Sequence, residues 1–264
     1  MRLARYRTTP DGAPRCGEVV GDEVVAFAAG ETVLDRLRSG DRRPATGERH
    51  PLAAVQLLAP HDPAALYGIG RNYADHAAEL GNAVPSAPIV FAMPPTSAAG
   101  PNDPVRRPAV TDQLDYEVEL AIVLGTLPDG TVGAAGYAVA DDVSARDLQQ
   151  REGQWARAKG ADGFCPFGPW VTTADEIPDP HALRLRTWVD GELRQDASTA
   201  DLVFGVEALI EHIAAAITLR PGDLILTGTP SGVGHARTPP VYLQPGDVVR
   251  MEIERLGTIE HRIV

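Results

Sequence analysis

The sequence predicts an α+β chain that is mostly β, with few helices and a small N-terminal domain. Three observations carry this. Two late segments, "RPGDLILTGT" and "QPGDVVRMEI", each place a Pro-Gly turn before an apolar strand. Short apolar runs bounded by turn residues recur without the regular helices that βαβ alternation requires. A long, clear helical stripe occurs once, at 201–217.

Residues 1–61 read as the N-terminal domain: short strands around "CGEVVGDEVVAF", a short helix near "ETVLDRLRSG", then the polar stretch "GDRRPATGERHP". Pro60 and Pro63 punctuate the chain, and "ALYGIG" resumes as a strand in a second unit, 62–264. "GRNYADHAAELG" predicts a short helix capped by Asn72, with Asp75 at its third position and Gly81 at its end. "DYEVEL" opens a strand that continues into the interior run Ala121, Ile122, Val123 and Leu124. In "GYAVADDVSARDLQQ" a strand at 136–140 ends in Asp141 and Asp142, and Ser144 to Asp147 reads as a capping box that starts a helix. Over 201–217, Leu202, Val203, Val206, Leu209, Ile210, Ile213 and Ile217 form one apolar stripe, with Asp201 as its cap.

Composition narrows the function. The 264 residues carry 24 basic and 36 acidic side chains, a formal charge of −12. No basic stripe interleaved with aromatics occurs, which argues against a nucleic-acid surface. The start, "MRLARYRTTPDG", has no apolar core, and the greasiest segment, 202–219, is broken by Glu207, Glu211 and His212, so a soluble, cytoplasmic protein is expected. Cys16 and Cys165 lie far apart and outside any C-x-x-C pattern, which argues against a disulfide scaffold or a zinc site. "GIGRNY" starts like a dinucleotide fingerprint, but Tyr73 stands at the third glycine; "GTPSGVG" lacks G-K-[ST]. No nucleotide cofactor is expected.

In an extended strand Asp115, Glu117 and Glu119 share one face, and Tyr116, Val118 and Leu120 the other. An aligned acidic face either meets water or gathers a cation. A hard ion such as Mg²⁺ takes oxygen ligands at ~2.0–2.1 Å, so two strand carboxylates can converge on it, with a third from elsewhere. The Asp141-Asp142 pair at a strand-to-helix junction is a candidate, although acids there also serve turns. His76 and Glu79 lie three residues apart on one helical face. A carboxylate beside an imidazole suits a general base acting on water, and the same spacing also makes ordinary surface pairs. Gln149 follows Asp142 by seven residues, two helical turns, and can face the same side.

Six segments in order, "GRNYADH", "DYEVEL", "DDVSARDLQ", "AKGADGFCPFGPW", "VDGELRQD" and "LTGTPSGVG", resemble the fumarylacetoacetate hydrolase family over about residues 62–264. The resemblance implies a fold of rolled mixed β-sheets with few helices, usually a homodimer through the catalytic domain. It implies Glu117, Glu119 and Asp142 as ligands of Mg²⁺ or Mn²⁺, and His76, Glu79, Lys159 and Gln149 as catalytic residues. Arg71, Arg146 and Thr229 are implied substrate contacts; the "TGTP" loop offers free backbone N–H groups, and Arg146 braces Asp142 or pairs with a neighbour. The implied substrate is a small 2-oxo acid. The implied reaction is hydrolysis of a C–C bond in a 1,3-dioxo acid of acylpyruvate or fumarylpyruvate type, through a metal-bound pyruvate enolate. Alternatives are a 2-hydroxyhepta-2,4-diene-1,7-dioate isomerase of aromatic catabolism, an oxaloacetate-type decarboxylase, or a non-catalytic metal-binding scaffold. Two residues depart from the family pattern. Met93 stands where many relatives carry lysine, which favours an uncharged acyl end; Asp141 stands where relatives often have asparagine, and could raise metal affinity or change which acid coordinates.

Overall fold

The computed structural model describes residues 1–264. A 12-stranded mixed sheet forms its backbone, and strand Val118–Thr126 lies well inside it, antiparallel to Val132–Asp141 on one side and to Leu224–Leu226 on the other. Leu120, Ile122 and Leu124 enter the larger core, whereas Ala121 and Val123 enter a second core on the opposite face. A strand covered on both faces has no polar side to display, which explains its uninterrupted apolar run.

A separate four-stranded antiparallel sheet runs Glu192–Ser198, Arg184–Val189, Val248–Ile253, Gly257–Arg262. Its residues Leu185, Val189, Met251, Ile253 and Ile259 pack into the larger core. The N-terminal segment extends the large sheet through Arg2–Arg7, which pairs with Cys165–Thr173. Leu3, Phe27, Val33 and Leu37 lie in the second core beside Ala121 and Val123. The expected short strands, Arg15–Val20 and Glu23–Ala26, form a hairpin closed by Gly21 at φ +59°, and the expected short helix spans Val33–Ser39. The chain is thus mostly β, with five α-helices.

Three local expectations fail because tertiary contacts claim either the residue that resembles a cap or the stretch beside it. The helix at 201–217 shortens to Val206–Ala214 with Gly205 at its N-cap, while Asp201 ends a 3₁₀ turn, Thr199–Asp201. Leu202 instead bridges Tyr73, and the Val203 N–H donates to Asn72 O at 2.8 Å, which keeps this stretch extended. Asn72 does not cap the helix Ala74–Glu79, whose N-cap is Tyr73. Its amide nitrogen donates to Phe204 O (3.0 Å) and Thr227 O (2.8 Å), and its Oδ1 accepts from the Phe204 N–H (2.8 Å). The capping box at 144–147 is also absent. Ser144–Ala145 forms a short strand with Leu114–Asp115, Ala145 is the N-cap, the Ser144 hydroxyl donates to Asp142 O, and Asp147 accepts from Thr111. A capping box does form at Thr32 and Asp35, at T-x-x-D spacing.

Asn72 ties three segments together from a fully buried position. Asn72→Ala leaves several buried groups unpaired and is expected to lower unfolding stability by about 3 kcal/mol in urea denaturation. A loss under about 0.5 kcal/mol would refute the crosslinking role.

Candidate active site

The strand that carries "DYEVEL" is interrupted. Leu114–Asp115 pairs with Ser144–Ala145, whereas Val118 begins the long strand of the large sheet. Tyr116, Val118 and Leu120 point into the larger core as expected. Asp115, expected beside the other two acids, leaves them: Oδ1 accepts from the N–H groups of Tyr116 (3.0 Å) and Gly234 (2.8 Å), and Oδ2 from Arg146 Nε (2.9 Å) and the His235 N–H (3.0 Å). Glu117 and Glu119 instead converge with Asp142. One carboxylate oxygen from each lies within 4.8 Å of the others, and all three residues are buried.

Two cations compensate. Lys159 Nζ lies 2.6 Å from Glu117 Oε2 and 2.7 Å from Asp142 Oδ2. Arg146 Nη2 lies 2.6 Å from Glu117 Oε1, so Arg146 braces Glu117 and Asp115 rather than Asp142. Four carboxylates thus face two cations, leaving an excess negative charge that a divalent ion would neutralise. The Asp142 Oδ1 is buried and accepts no hydrogen bond, and the donor set is all oxygen; both fit a hard divalent cation.

Burial opposes ionisation throughout the cluster. At Glu117 it is outweighed by Lys159 and Arg146, which bring the carboxyl down to about 2. Glu119 is pushed well above the usual carboxylate range by burial and by Asp142 and Glu117. Asp142 rises to about 7 by burial, despite Lys159. Burial works against the Lys159 ammonium as well, yet Asp142 and Glu117 hold its pKa above the ordinary lysine value.

A cavity of about 280 Å³ opens onto this cluster, and Arg71, His76, Glu117, Glu119, Arg146, Gln149, Lys159 and Thr229 line it. Glu79 and Asp142 stand behind the wall, each in contact with a residue that lines it. Glu79 Oε2 lies 3.4 Å from His76 Nδ1, and its Oε1 accepts from the Gly232 N–H at 2.9 Å. Gln149 Oε1 accepts from Arg146 Nη1 at 3.1 Å. The "TGTP" loop is less open than expected: the Gly228 N–H donates to Glu119 Oε2 at 2.6 Å. Thr229 Oγ1 donates to Val118 O and accepts from Gln195 Nε2.

Arg71 follows the strand Leu66–Gly70 at φ +59°, a left-handed conformation that costs an L-residue ~1–2 kcal/mol. The bonds of neighbouring Asn72 hold it there, and its guanidinium lines the cavity without an ion pair. Met93 lies in the second core and is not among the residues that line the cavity. Asp141 is no part of the acid triad; it bonds to His261 and to the Glu117 N–H. Sequence reasoning missed Phe91, Trp155, Gln150 and His235 on the cavity wall. Phe91 and Trp155 meet edge to face at 5.2 Å, and Gln150 Nε2 lies 3.0 Å from His235 Nε2. No local spacing marks them, because only the fold brings their segments together.

The family described as fumarylacetoacetate (FAA) hydrolase C-terminal matches residues 65–264, and the one described as Rv2993c-like, N-terminal matches residues 1–60. The chain belongs to the fumarylacetoacetate hydrolase family. Oxaloacetate tautomerase fahd2, mitochondrial, from Xenopus laevis is 40% identical over 292 residues, spanning 100% of this chain and 90% of that protein. The 5-carboxymethyl-2-hydroxymuconate delta-isomerase structure from Mycobacterium smegmatis is 38% identical with a TM-score of 0.81, covering 100% of this chain and 99% of that one. The maleylpyruvate hydrolase structure from Sphingobium sp. SYK-6, solved with manganese(II) and pyruvate, is 32% identical with a TM-score of 0.77, again covering 100% and 99%. This family enzyme thus has relatives named as tautomerase, isomerase and hydrolase, and it carries a buried acid triad suited to a divalent metal. No helix is long and apolar enough to cross a membrane.

A metal ion held by the acid triad would compete with a proton for Asp142, whose pKa is raised to about 7. Raising the pH removes the proton, so Mn²⁺ affinity measured by titration is expected to fall roughly tenfold from about pH 8 to about pH 6. The metal-free chain behaves oppositely. A carboxyl whose folded pKa is raised contributes less stability as pH climbs from the usual carboxylate range to about 7. The Mn²⁺-induced rise in Tm is therefore expected to grow with pH, and a flat profile would show that no proton on Asp142 opposes the metal in this range.

Proposed function

We propose that this chain hydrolyses a C–C bond in a small 1,3-dioxo acid of acylpyruvate type, using Mg²⁺ or Mn²⁺ held by Glu117, Glu119 and Asp142. The observation that carries this reading is one cavity that unites the acid triad, the Lys159 ammonium and the His76 imidazole. When bound, the cation would supply Lewis-acid stabilisation of negative charge on the 2-oxo oxygen and carboxylate of the substrate.

The side chains divide the remaining work. Lys159 places positive charge beside the same region and fixes Glu117 and Asp142. Arg146 holds both Glu117 and Gln149, which fixes the amide on the wall. Arg71 keeps its guanidinium donors unspent, and a planar fork of donors matches a carboxylate.

His76, with Glu79 at its Nδ1, takes a proton from water on Nε2. The hydroxide oxygen bonds to the distal acyl carbon, and the C–C bond breaks. Its electron pair leaves with the pyruvate enolate, which the proton on His76 converts to pyruvate. A second reading, keto–enol tautomerisation of oxaloacetate, is favoured by the tautomerase relative that spans the whole chain. It needs the same enolate stabilisation and proton transfer by His76, without an attacking water.

Purified protein with Mg²⁺ or EDTA, assayed for pyruvate release from acetylpyruvate and fumarylpyruvate, tests the hydrolase. Metal-dependent release is expected, and His76→Ala should lower it about 100-fold or more while Mn²⁺ affinity holds. Unchanged hydrolysis in that variant removes His76 from the reaction. Oxaloacetate interconversion without pyruvate release selects the second reading.

A further inference from the structure

Asp141 and His261 lie off the cavity and have no part in the reaction above. Both are completely buried, and they come from different sheets. Asp141 ends strand Val132–Asp141, immediately before the triad residue Asp142; His261 sits in Gly257–Arg262, at the edge of the four-stranded sheet. His261 Nε2 lies 2.8 Å from Asp141 Oδ2, and Asp141 Oδ1 accepts from the Glu117 N–H at 2.9 Å.

Glu117 needs this support. It lies in the break between Leu114–Asp115 and Val118–Thr126, so no neighbouring strand receives its N–H. The Asp141 carboxylate replaces that missing strand, and the Asp142 N–H returns to Glu117 O at 3.0 Å. Glu117 and Asp142 are thereby closed into a hydrogen-bonded loop through Asp141. An apolar pair could join two sheets at least as favourably, but without direction. A hydrogen-bonded carboxylate–imidazole pair fixes orientation, which is what supports behind metal-ligating carboxylates provide.

We infer that Asp141 and His261 are positioning residues of the metal centre, which fix the Glu117 main chain and the Glu117–Asp142 spacing against the four-stranded sheet. The inference rests on the proposal that the triad binds a divalent cation. The first arm of the test is therefore Mn²⁺ titration of the full-length wild-type chain, read by the paramagnetic resonance of free Mn²⁺.

With wild-type binding established, His261→Ala is expected to weaken Mn²⁺ about tenfold or more. His261→Gln places an amide N–H at a similar reach and is expected to stay within about threefold of wild type. Should the alanine variant fail to fold, His261→Asn is the smaller disturbance: it stays polar but falls short of the Asp141 carboxylate, and is expected to weaken Mn²⁺ similarly. His61→Ala is the control for general destabilisation, since His61 is buried against Gly222 O and touches none of the triad. It should lower Tm with Mn²⁺ affinity unchanged.

No Mn²⁺ binding by the wild-type chain overturns the metal reading and this inference together. Wild-type affinity in the alanine or asparagine variants, with only Tm lowered, overturns the positioning role and leaves the metal reading standing. A glutamine variant as weak as alanine overturns the hydrogen-bond account.

Discussion

Everything about the site follows from three buried carboxylates held within 4.8 Å of one another. Like charges at that distance in a poorly polarisable medium cannot all ionise unaided. Compensation comes first from Lys159 and Arg146, then from the backbone, where the Gly228 N–H donates to the Glu119 carboxylate. Even so, Glu119 and Asp142 remain pushed toward their protonated forms. The cluster is therefore arranged for an additional positive charge, at the expense of stability in its absence.

That constraint shapes the surrounding chain. The break after Asp115 frees Glu117 from the ladder and lets it turn toward Asp142, while Asp115 itself becomes the anchor of Arg146. The same Arg146 then orients Gln149. At the other side of the cavity, the bonds of buried Asn72 hold Arg71 in a left-handed conformation that it would not adopt alone. Rigid, over-determined segments thus carry the strained or charged residues, and the large sheet supplies the rigidity.

Where the sequence was legible, a strict period carried the information. The two-residue repeat of "DYEVEL" sorted Glu117 and Glu119 from Tyr116, Val118 and Leu120, and the core follows that division. Turn chemistry located the strands that follow Pro-Gly. Helix starts were less readable, because Asn72, Ser144 and Asp201 look like caps and two of them are engaged elsewhere: Asn72 with Thr227 and Phe204, Ser144 in a strand. A cap preference is worth about 1 kcal/mol, and a buried tertiary hydrogen-bond set outweighs it. Contacts between remote segments were invisible in principle. His261 lies 120 residues from Asp141, and no periodicity relates them. The role of Lys159 entered through family resemblance, since a lone lysine in "RAKGADGF" has no local signature.

The arrangement also explains how one fold can carry relatives named tautomerase, isomerase and hydrolase. Each of those names describes a reaction in which a carbon beside a 2-oxo group gains or loses a proton or a bond, and each is helped by stabilising negative charge on the 2-oxo oxygen. The acid triad with Lys159 addresses that shared demand and does not discriminate among them. Under the proposed function, discrimination would lie in what else the cavity admits: a water within reach of His76 would permit cleavage, whereas exclusion of water would leave only proton transfer. In this chain the wall opposite that choice is built from Phe91 and Trp155, packed edge to face, and from Gln150 bonded to His235. Trp155, Gln150 and His235 belong to segments outside the large sheet, whereas Phe91 lies on its edge strand Ile89–Met93, with Lys159 Nζ 5.6 Å from its ring centroid. The charge cluster is thus held by the buried strands, and the wall of the cavity above it is built largely from other segments.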